Sequence, residues 1–310
     1  MGRTRETPLL RAPLLDAMAK RRVWVKPECL QVTGSFKFRG AWTALSALTQ
    51  EQRRAGVIAY SSGNHAQGIA HAAALHGASS VIVMPSDAPS LKIQNTKAYG
   101  GEVILYQRDS ESREAVGEAL ARERGLTLIK PYDEPQVIAG QGTCGLEIAA
   151  QAQRAGIEAA DVLVCCGGGG LTAGIALALA ADAPGLQVRP VEPEGFDDVT
   201  RSLQSGKIER NSASSRNICD AILTPAPGDL TFPIMQRLCG PGIAVSETDA
   251  LRAMAAAFQT LKLVAEPGGA VALAAALAHP DKIRTEDVVV VISGGNVDPA
   301  IFAQALKDQT

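Results

Sequence analysis

The sequence predicts an α/β protein of two lobes, each built on a parallel β-sheet, with a ligand-binding cleft between them. Two features of its 310 residues lead to this prediction. Short apolar runs alternate with helix-length segments, which is the pattern of β-α-β units around a parallel sheet. Three of those runs end in loops of glycine and small polar residues, and such sheets bind ligands where strands end and helices begin.

The first series of elements lies between residues 57 and 129. Strands are predicted at 57–60, 80–84, 103–106 and 127–129, with helices between them at 66–76, 89–99 and 111–124. Because strands and helices alternate without interruption here, we assign residues 55–133 to a smaller three-layer αβα domain.

A second series makes up most of the remaining chain. Its elements are a helix at 137–155, a strand at 162–166, a helix at 171–181, a strand at 187–192, helices at 247–263 and 268–278, and a strand at 288–292. A further helix is expected at 41–48, and the polar, turn-rich residues 205–217 predict a surface loop. We assign residues 1–54 and 134–310 to a larger parallel-sheet domain.

Composition and charge exclude several classes of protein. The formal net charge is −2, and no cluster of Lys and Arg indicates a nucleic-acid partner. Residues 162–181 carry no charge over a length that could span a bilayer. Four consecutive glycines interrupt that stretch, which favours a strand, a loop and a helix over one spanning helix. We therefore expect neither a nucleic-acid partner nor a membrane partner.

Cysteine usage is typical of a reducing compartment. The six cysteines form no Cys-x-x-Cys pair, so buried reduced thiols are the preferred interpretation. Residues 1–25 lack the apolar run and the small-residue cleavage site of a signal peptide. We expect a cytoplasmic protein.

Three polar loops are expected to meet at one site. They occupy residues 61–65, 167–170 and 293–296, each directly after a predicted strand. Because ligands of parallel sheets bind at the carboxyl ends of the strands, loops at corresponding strand ends indicate one shared site.

The four glycines of the second loop have two interpretations. Successive glycines let backbone N–H groups turn towards a phosphate, and the positive end of the following helix adds to the attraction. The same residues also satisfy the dinucleotide fingerprint, with Gly168, Gly170 and Ala173 at the required spacing. Glu192, at the end of the next strand, stands where a ribose-binding acid belongs. Taken alone, this loop is also compatible with the function of an NAD-dependent oxidoreductase.

Lys37 decides between these interpretations. It lies in the sequence Ser-Phe-Lys at 35–37, and here the chain resembles the threonine dehydratase and serine racemase group of fold-type II pyridoxal phosphate (PLP) enzymes. In that group the Ser-Phe-Lys motif carries the cofactor lysine. Five further segments resemble the group's motifs in the same order, at residues 7–9, 61–68, 140–143, 167–171 and 293–296.

The resemblance implies PLP as the cofactor and a role for each site residue. Lys37 would hold PLP in a Schiff base and then remove the substrate Cα proton, for which burial must lower the pKa of its amine. Asn64 would donate to the phenolic oxygen, and Ser293 would contact the pyridine nitrogen. The implied cofactor-binding residues are Phe36, Lys37, Asn64, Gly167, Gly168, Gly169, Gly170, Leu171 and Ser293.

By the same resemblance, the loop after the first strand binds the substrate carboxylate. The residues implied are Ser61, Ser62, Gly63, Asn64 and His65. Ser62 has three open interpretations: a catalytic acid/base on the opposite face of the substrate, a binding residue, or the N-cap of the following helix.

The acidic segment 192–198 resembles the cation loop of the group. There, carboxylates at the positions of Glu192 and Asp198, with the carbonyl oxygen of Phe196, hold Mg²⁺ or Ca²⁺. Such oxygen ligands suit hard cations. Acidic loop residues are also commonly just solvated, so both interpretations stay open.

The expected activity is a PLP-dependent ammonia-lyase reaction. A small β-hydroxy amino acid such as L-threonine or L-serine would lose water and then ammonia, giving a 2-oxo acid. The resemblance leaves 3-hydroxyaspartate dehydration and serine or other amino-acid racemisation as alternatives, and it implies a homodimer acting on a small-molecule amino-acid substrate.

Overall fold

The computed structural model describes residues 3–61, 63–88, 90–107, 109–212 and 216–307, with Leu91 described in its backbone alone. Its helices are α1 (Pro13–Ala19), α2 (Lys37–Ala47), α3 (Gln50–Ala55), α4 (Asn64–Leu75), α5 (Ser90–Ala98), α6 (Arg113–Arg124), α7 (Pro135–Ala155), α8 (Gly170–Asp182), α9 (Asp198–Ser205), α10 (Thr231–Leu238), α11 (Glu247–Leu261), α12 (Pro267–Ala278) and α13 (Pro299–Lys307). Its strands are β1 (Arg22–Pro27), β2 (Val57–Tyr60), β3 (Ser80–Pro85), β4 (Glu102–Tyr106), β5 (Thr127–Leu128), β6 (Ala160–Cys165), β7 (Leu186–Pro193), β8 (Ile243–Val245) and β9 (Asp287–Ile292).

Two parallel sheets organise the chain, and the predicted α/β architecture is confirmed. The larger sheet has the strand order β1-β9-β6-β7-β8, and the smaller sheet has the order β4-β3-β2-β5. All of these strand pairings are parallel. The strands of the smaller sheet lie within the predicted residues 55–133, although the domain boundaries themselves stay a prediction.

Helices cover both faces of the larger sheet. In β9, Val288, Val290 and Ile292 belong to the cluster formed with α11 and α12. Val289 and Val291, which alternate with them, belong to the cluster formed with α7 and α8. Since successive side chains of a strand point to opposite faces, β9 is buried on both sides, which explains its uninterrupted run of valines.

Helix α2 begins at Lys37, four residues earlier than predicted, and the reason is helix packing. Gly40, which precedes the expected helix 41–48, lies inside α2, where α2 packs against α7. A Cβ added at Gly140 would lie 2.6 Å from both the carbonyl oxygen of Arg39 and the Cα of Gly40. The two glycines therefore let the helix backbones approach closely, and Lys37 occupies the first turn of a packed helix.

A buried ion cluster fixes the start of α2. Arg39 is 1% exposed and donates from Nε to Glu28 and from Nη1 to Glu147, at 2.7 and 2.6 Å. Lys26 donates to the same Glu147 at 2.6 Å. Separating these side chains would leave an uncompensated buried charge, which is strongly destabilising. The cluster therefore holds α2 beside β1 and α7.

Candidate active site

One cavity lies between the two sheets, where the first two polar loops meet Lys37. The smaller-sheet side contributes Ser61, Gly63, Asn64 and His65, and the larger-sheet side contributes the four glycines with Leu171. The structure thus brings together predicted residues that are more than 130 positions apart in the chain, and Phe36 and Lys37 line the same cavity. Ser62 lies outside the described residues.

The Lys37 amine reaches into this cavity from the first turn of α2. Its Nζ donates to the carbonyl oxygen of Pro131 at 2.7 Å and lies 5.1 Å from the ring centre of Phe36. Burial lowers the pKa of Lys37 to about 8, and the nearby carboxyl of Glu266 acts in the opposite direction. Such an amine is neutral for a useful fraction of the time near neutral pH, as a nucleophile or a base requires.

The four glycines form a cradle between β6 and α8. Gly169 has a φ of 91°, a conformation that glycine adopts without strain. A Cβ at Gly168 would lie 2.3 Å from the ring of Tyr132, so a larger residue has no room there. Helix α8 begins at Gly170 without an acidic residue in its first turn. Its N–H groups and its positive dipole end can therefore bind an anion of phosphate size.

Asn64 and Glu266 form one wall of the cavity. The Asn64 amide nitrogen donates to Oε1 of Glu266 at 2.6 Å, and both side chains are buried. Burial raises the pKa of Glu266 to about 7, with a further contribution from Asp220. This pair places a hydrogen-bond donor and an ionisable carboxyl beside the Lys37 amine.

His65 is a neutral part of the wall. Its Nε2 lies 3.1 Å from the carbonyl oxygen of Ile129, which can only accept, so Nε2 carries the proton. Burial, with the neighbouring Lys37 amine, lowers the pKa of His65 to about 3. The His65 side chain therefore cannot supply a positive charge to a substrate carboxylate near neutral pH, and α4 instead offers the backbone N–H groups of its first turn.

Ser293 does not line the cavity directly. It is 4% exposed and lies beside the Cys165 thiol, which does line the cavity. Its backbone carbonyl accepts from the Phe36 N–H at 3.1 Å and its N–H donates to Gly269 at 3.2 Å. The third polar loop, residues 293–296, thus holds the backbone at Phe36, next to Lys37, by a hydrogen bond.

The chain matches a known protein family over most of its length. The family model described as "Pyridoxal-phosphate dependent enzyme" matches residues 2–294. The chain belongs to this family of pyridoxal-phosphate dependent enzymes.

Relatives within the family carry several activities in their names. An L-threo-3-hydroxyaspartate ammonia-lyase of a Pseudomonas species is 42% identical over 99% of this chain and 94% of its own length. The crystal structure of a threonine deaminase from the organism abbreviated T.th. has a TM-score of 0.90 at 45% identity and covers 96% of this chain and 94% of that chain. Maize serine racemase has a TM-score of 0.90 at 37% identity, covering 99% and 93%. These comparisons confirm the fold-type II architecture that the motifs predicted.

The cavity of this pyridoxal-phosphate dependent enzyme fits the cofactor of its family. It combines an amine of lowered pKa with a glycine cradle at a helix N-terminus, whose backbone N–H groups can bind an anion and where a side chain at Gly168 would collide with Tyr132. The dinucleotide interpretation of the glycines fails at Glu192. That carboxyl is fully buried and accepts from the backbone N–H groups of Val199 and Thr200 at 2.9 and 2.7 Å. It is therefore engaged by α9 and not directed at a ribose.

Several cavity residues were missed by sequence reasoning. Lys92, Arg113, Asp220 and Glu266 all line it. Arg113 lies 5.7 Å from the ring centre of Tyr60 and donates to Glu114 at 2.7 Å. Lys92 of α5 pairs with Asp220 on the larger-sheet side. Lys92 and Arg113 lie near the starts of α5 and α6 on the smaller-sheet side, and no sequence motif marks them. Tyr132 also lines the cavity.

The predicted cation loop lies outside the cavity. Burial raises the pKa of Glu192 to about 8, with Asp198 adding to it, and burial raises the pKa of Asp198 to about 7. Oδ2 of Asp198 is buried and has no hydrogen-bond partner. Within the described part of the chain, no three His, Cys, Asp or Glu side chains cluster to hold a metal ion, so protein carboxylates alone do not complete a site here.

Among the described residues, no helix is long and apolar enough to cross a membrane. The uncharged segment 162–181 instead forms parts of β6 and α8 with the glycine cradle between them, as predicted.

Proposed function

We propose that this enzyme removes water and then ammonia from a small β-hydroxy amino acid, such as L-threonine or L-serine, to give a 2-oxo acid. The observation that carries the proposal is the Lys37 amine, with its pKa lowered to about 8, in the same cavity as the glycine cradle. The relatives named as threonine deaminase and hydroxyaspartate ammonia-lyase support a β-elimination on a hydroxylated substrate.

The residues in and beside the cavity would have the following roles. PLP, when bound, supplies an electron sink for charge that develops at the substrate Cα. Residues 167–170 and Leu171 would hold its phosphate, and Lys37 would anchor it and then take the Cα proton. Asn64 would donate to its phenolic oxygen, and Ser293, which lies behind the cavity lining beside Cys165, would contact its pyridine nitrogen. Phe36 would pack near the anchored amine.

The first turn of α4 would hold the substrate. Ser61, Gly63, Asn64 and His65 would bind the substrate carboxylate, chiefly through backbone N–H groups, because the neutral His65 ring adds no positive charge there. Gly63 donates its N–H to the Ser61 hydroxyl at 3.2 Å, which shapes this turn. A role for Ser62 as acid/base on the opposite face would add racemisation to elimination.

A second candidate substrate is 3-hydroxyaspartate. Lys92 and Arg113 line the cavity, and each could pair with a second carboxylate. The 42% identical relative named as an L-threo-3-hydroxyaspartate ammonia-lyase also supports this substrate.

Two further properties belong to this proposal. We propose that Mg²⁺ or Ca²⁺ binds at Glu192, Asp198 and the carbonyl oxygen of Phe196, with water completing the coordination; the partnerless Oδ2 of Asp198 supports this. We also propose a cytoplasmic homodimer. All six cysteines are free thiols, which suits a reducing compartment, and light scattering of the purified protein would test the dimer.

The test is release of 2-oxo acid from a panel of β-hydroxy amino acids of both configurations. We expect turnover of L-threonine, L-serine or 3-hydroxyaspartate, and loss of at least about 1,000-fold in kcat for Lys37→Ala, because the base and the anchor are removed together. Lys97→Ala, an exposed lysine of α5, is the matched control and should keep wild-type activity. Full turnover by Lys37→Ala would refute the proposal.

A further inference from the structure

Asn296 links three loops around the cavity through one amide group. Its Nδ2 lies 2.8 Å from the carbonyl oxygen of Thr33 and 2.7 Å from Oδ1 of Asn64. Thr33 precedes Lys37 by four residues, Asn64 opens α4, and Asn296 itself follows β9. Both N–H groups of the Asn296 amide are therefore used, one towards Thr33 in the segment before Lys37 and one towards Asn64.

These contacts determine which way the Asn64 amide faces. A backbone carbonyl only accepts, so the contact with Thr33 requires that Asn296 presents its NH₂ group on this side. Asn64 must then offer its oxygen to Asn296, which turns its own NH₂ group to the opposite side. There its Nδ2 donates to Glu266 in the cavity wall at 2.6 Å. One N–H of Asn64 remains for a ligand in the cavity.

The surrounding backbone holds Asn296 in place. Gly34 has a φ of 74°, and a Cβ added there would lie 2.6 Å from Oδ1 of Asn296. The N–H of Gly295 donates to the Gly34 carbonyl at 2.9 Å, so the two loops are joined on both sides of the Asn296 side chain. Asn296 therefore has little freedom to turn its amide. Without this partner, Asn64 would be oriented by Glu266 alone, whose carboxyl accepts when ionised but can donate when protonated.

We propose that Asn296 is a positioning residue that makes Asn64 a donor, and not an acceptor, towards the phenolic oxygen of PLP. The proposal rests on the proposed function, since it assigns that oxygen to the cavity beside Asn64. A donor stabilises the ionised oxygen, whereas an amide oxygen in its place would repel it. Asn296 would touch neither substrate nor cofactor and would act through Asn64 alone.

The test begins with Asn296→Asp. A carboxylate cannot donate, so it would face the oxygens of Thr33 and Asn64 as an acceptor, and the Asn64 amide should turn its nitrogen towards it. The Asn64 oxygen would then face the cavity and Glu266, which can donate to it in its protonated form. We expect the dissociation constant of PLP to rise about 10-fold, the factor for one ordinary hydrogen bond, and the visible absorption band of the bound cofactor to shift.

A double-mutant cycle separates positioning from general support of the loop. In an Asn64→Ala background, Asn296→Asp should change PLP affinity less than about twofold and leave the absorption band unmoved, because the group through which it acts is gone. Gln304→Glu, an exposed change on α13, adds the same charge away from the cavity and should leave both readouts at wild-type values.

Each outcome has one meaning. An undiminished effect in the Asn64→Ala background would overturn the proposal, because Asn296 would then act on the Lys37 loop through Thr33. A wild-type band and affinity in Asn296→Asp would overturn it as well. If Asn296→Asp does not fold, Asn296→Ala enters the same cycle, with a smaller effect expected. Failure of the wild-type protein to bind PLP would instead count against the proposed function.

Discussion

At the scale of single residues, the environment of Lys37 determines its chemistry. Burial lowers its pKa to about 8, while Glu266, whose own pKa is raised to about 7, limits that decrease. Because the two groups face one cavity, the charge of Glu266 near neutral pH favours the protonated amine. The fraction of neutral Lys37 should therefore respond both to pH and to the carboxyl beside it.

The first prediction concerns the pH dependence of cofactor loading. The rate at which apo-protein forms its visible absorption band with PLP should rise about tenfold per pH unit below pH 8 and level off above it, since only the neutral amine attacks an aldehyde. Glu266→Gln should move the inflection to lower pH, because it removes the charge that raises the pKa of Lys37. An inflection near the ordinary lysine value of 10.5 would contradict the prediction.

At the scale of elements, the strands of the smaller sheet and the central strands of the larger sheet could be predicted, but the edge strands β1 and β8 of the larger sheet could not. β2 was predicted with its observed bounds because it is a short apolar run between clear turn signals. β1 was missed, since this edge strand carries Arg22 and Lys26, which are held by carboxylates. The glycine cradle and Lys37 were found from local patterns. Lys92 and Arg113 were not, because their inclusion depends on how α5 and α6 are oriented over the cavity.

The second prediction tests the close crossing of α2 and α7. Gly140→Ala would bring a Cβ to 2.6 Å from the Arg39 carbonyl oxygen and 2.8 Å from Oγ1 of Thr43, so the helices must separate. Overpacking against backbone lowers the free energy of unfolding by up to about 3 kcal/mol, whereas the higher helix propensity of alanine over glycine raises it by about 1 kcal/mol. We expect a net loss of about 2 kcal/mol in denaturant unfolding. Weaker PLP binding should accompany it, because α2 carries Lys37.

Gln153→Ala in the same helix is the matched control. Gln153 is exposed, so its replacement should change the free energy of unfolding by less than about 0.5 kcal/mol. Equal stability of the two variants would mean that α2 and α7 can move apart freely, and Gly140 would then have no packing role.

At the scale of the whole molecule, the site exists only where the two sheets face each other. Lys92 from α5 and Asp220 from the larger-sheet side form an ion pair at the edge of the cavity. The Lys37 amine donates a hydrogen bond to the carbonyl oxygen of Pro131, which is distant in the sequence. The loop at 192–198 lies apart from the cavity, so its two buried carboxyls affect the stability of the fold more directly than the reaction. Their ionisation should appear in the thermal stability of the entire protein.

The last prediction concerns pH and divalent cations. The folded-state pKa values of Glu192 and Asp198, about 8 and 7, lie above their ordinary values of 4.5 and 3.8. The folded state thus binds more protons than the unfolded state in this range, and stability should fall as pH rises from about 5 to 8. Glu266 shifts in the same sense, so the informative comparison is with Asp198→Asn, which keeps Glu266.

In EDTA, the wild-type melting temperature should decrease between pH 6 and pH 8 by a few degrees, at about 2–4 °C per kcal/mol, and the decrease should be smaller in Asp198→Asn. Mg²⁺ binds ionised carboxylates, so it should raise the wild-type melting temperature more at pH 8 than at pH 6 and leave Asp198→Asn unchanged. Identical melting with and without Mg²⁺ or Ca²⁺ at pH 8 would remove the cation from the proposal. The pH trend alone would then reflect the burial of the two carboxyls, which raises the pKa of each.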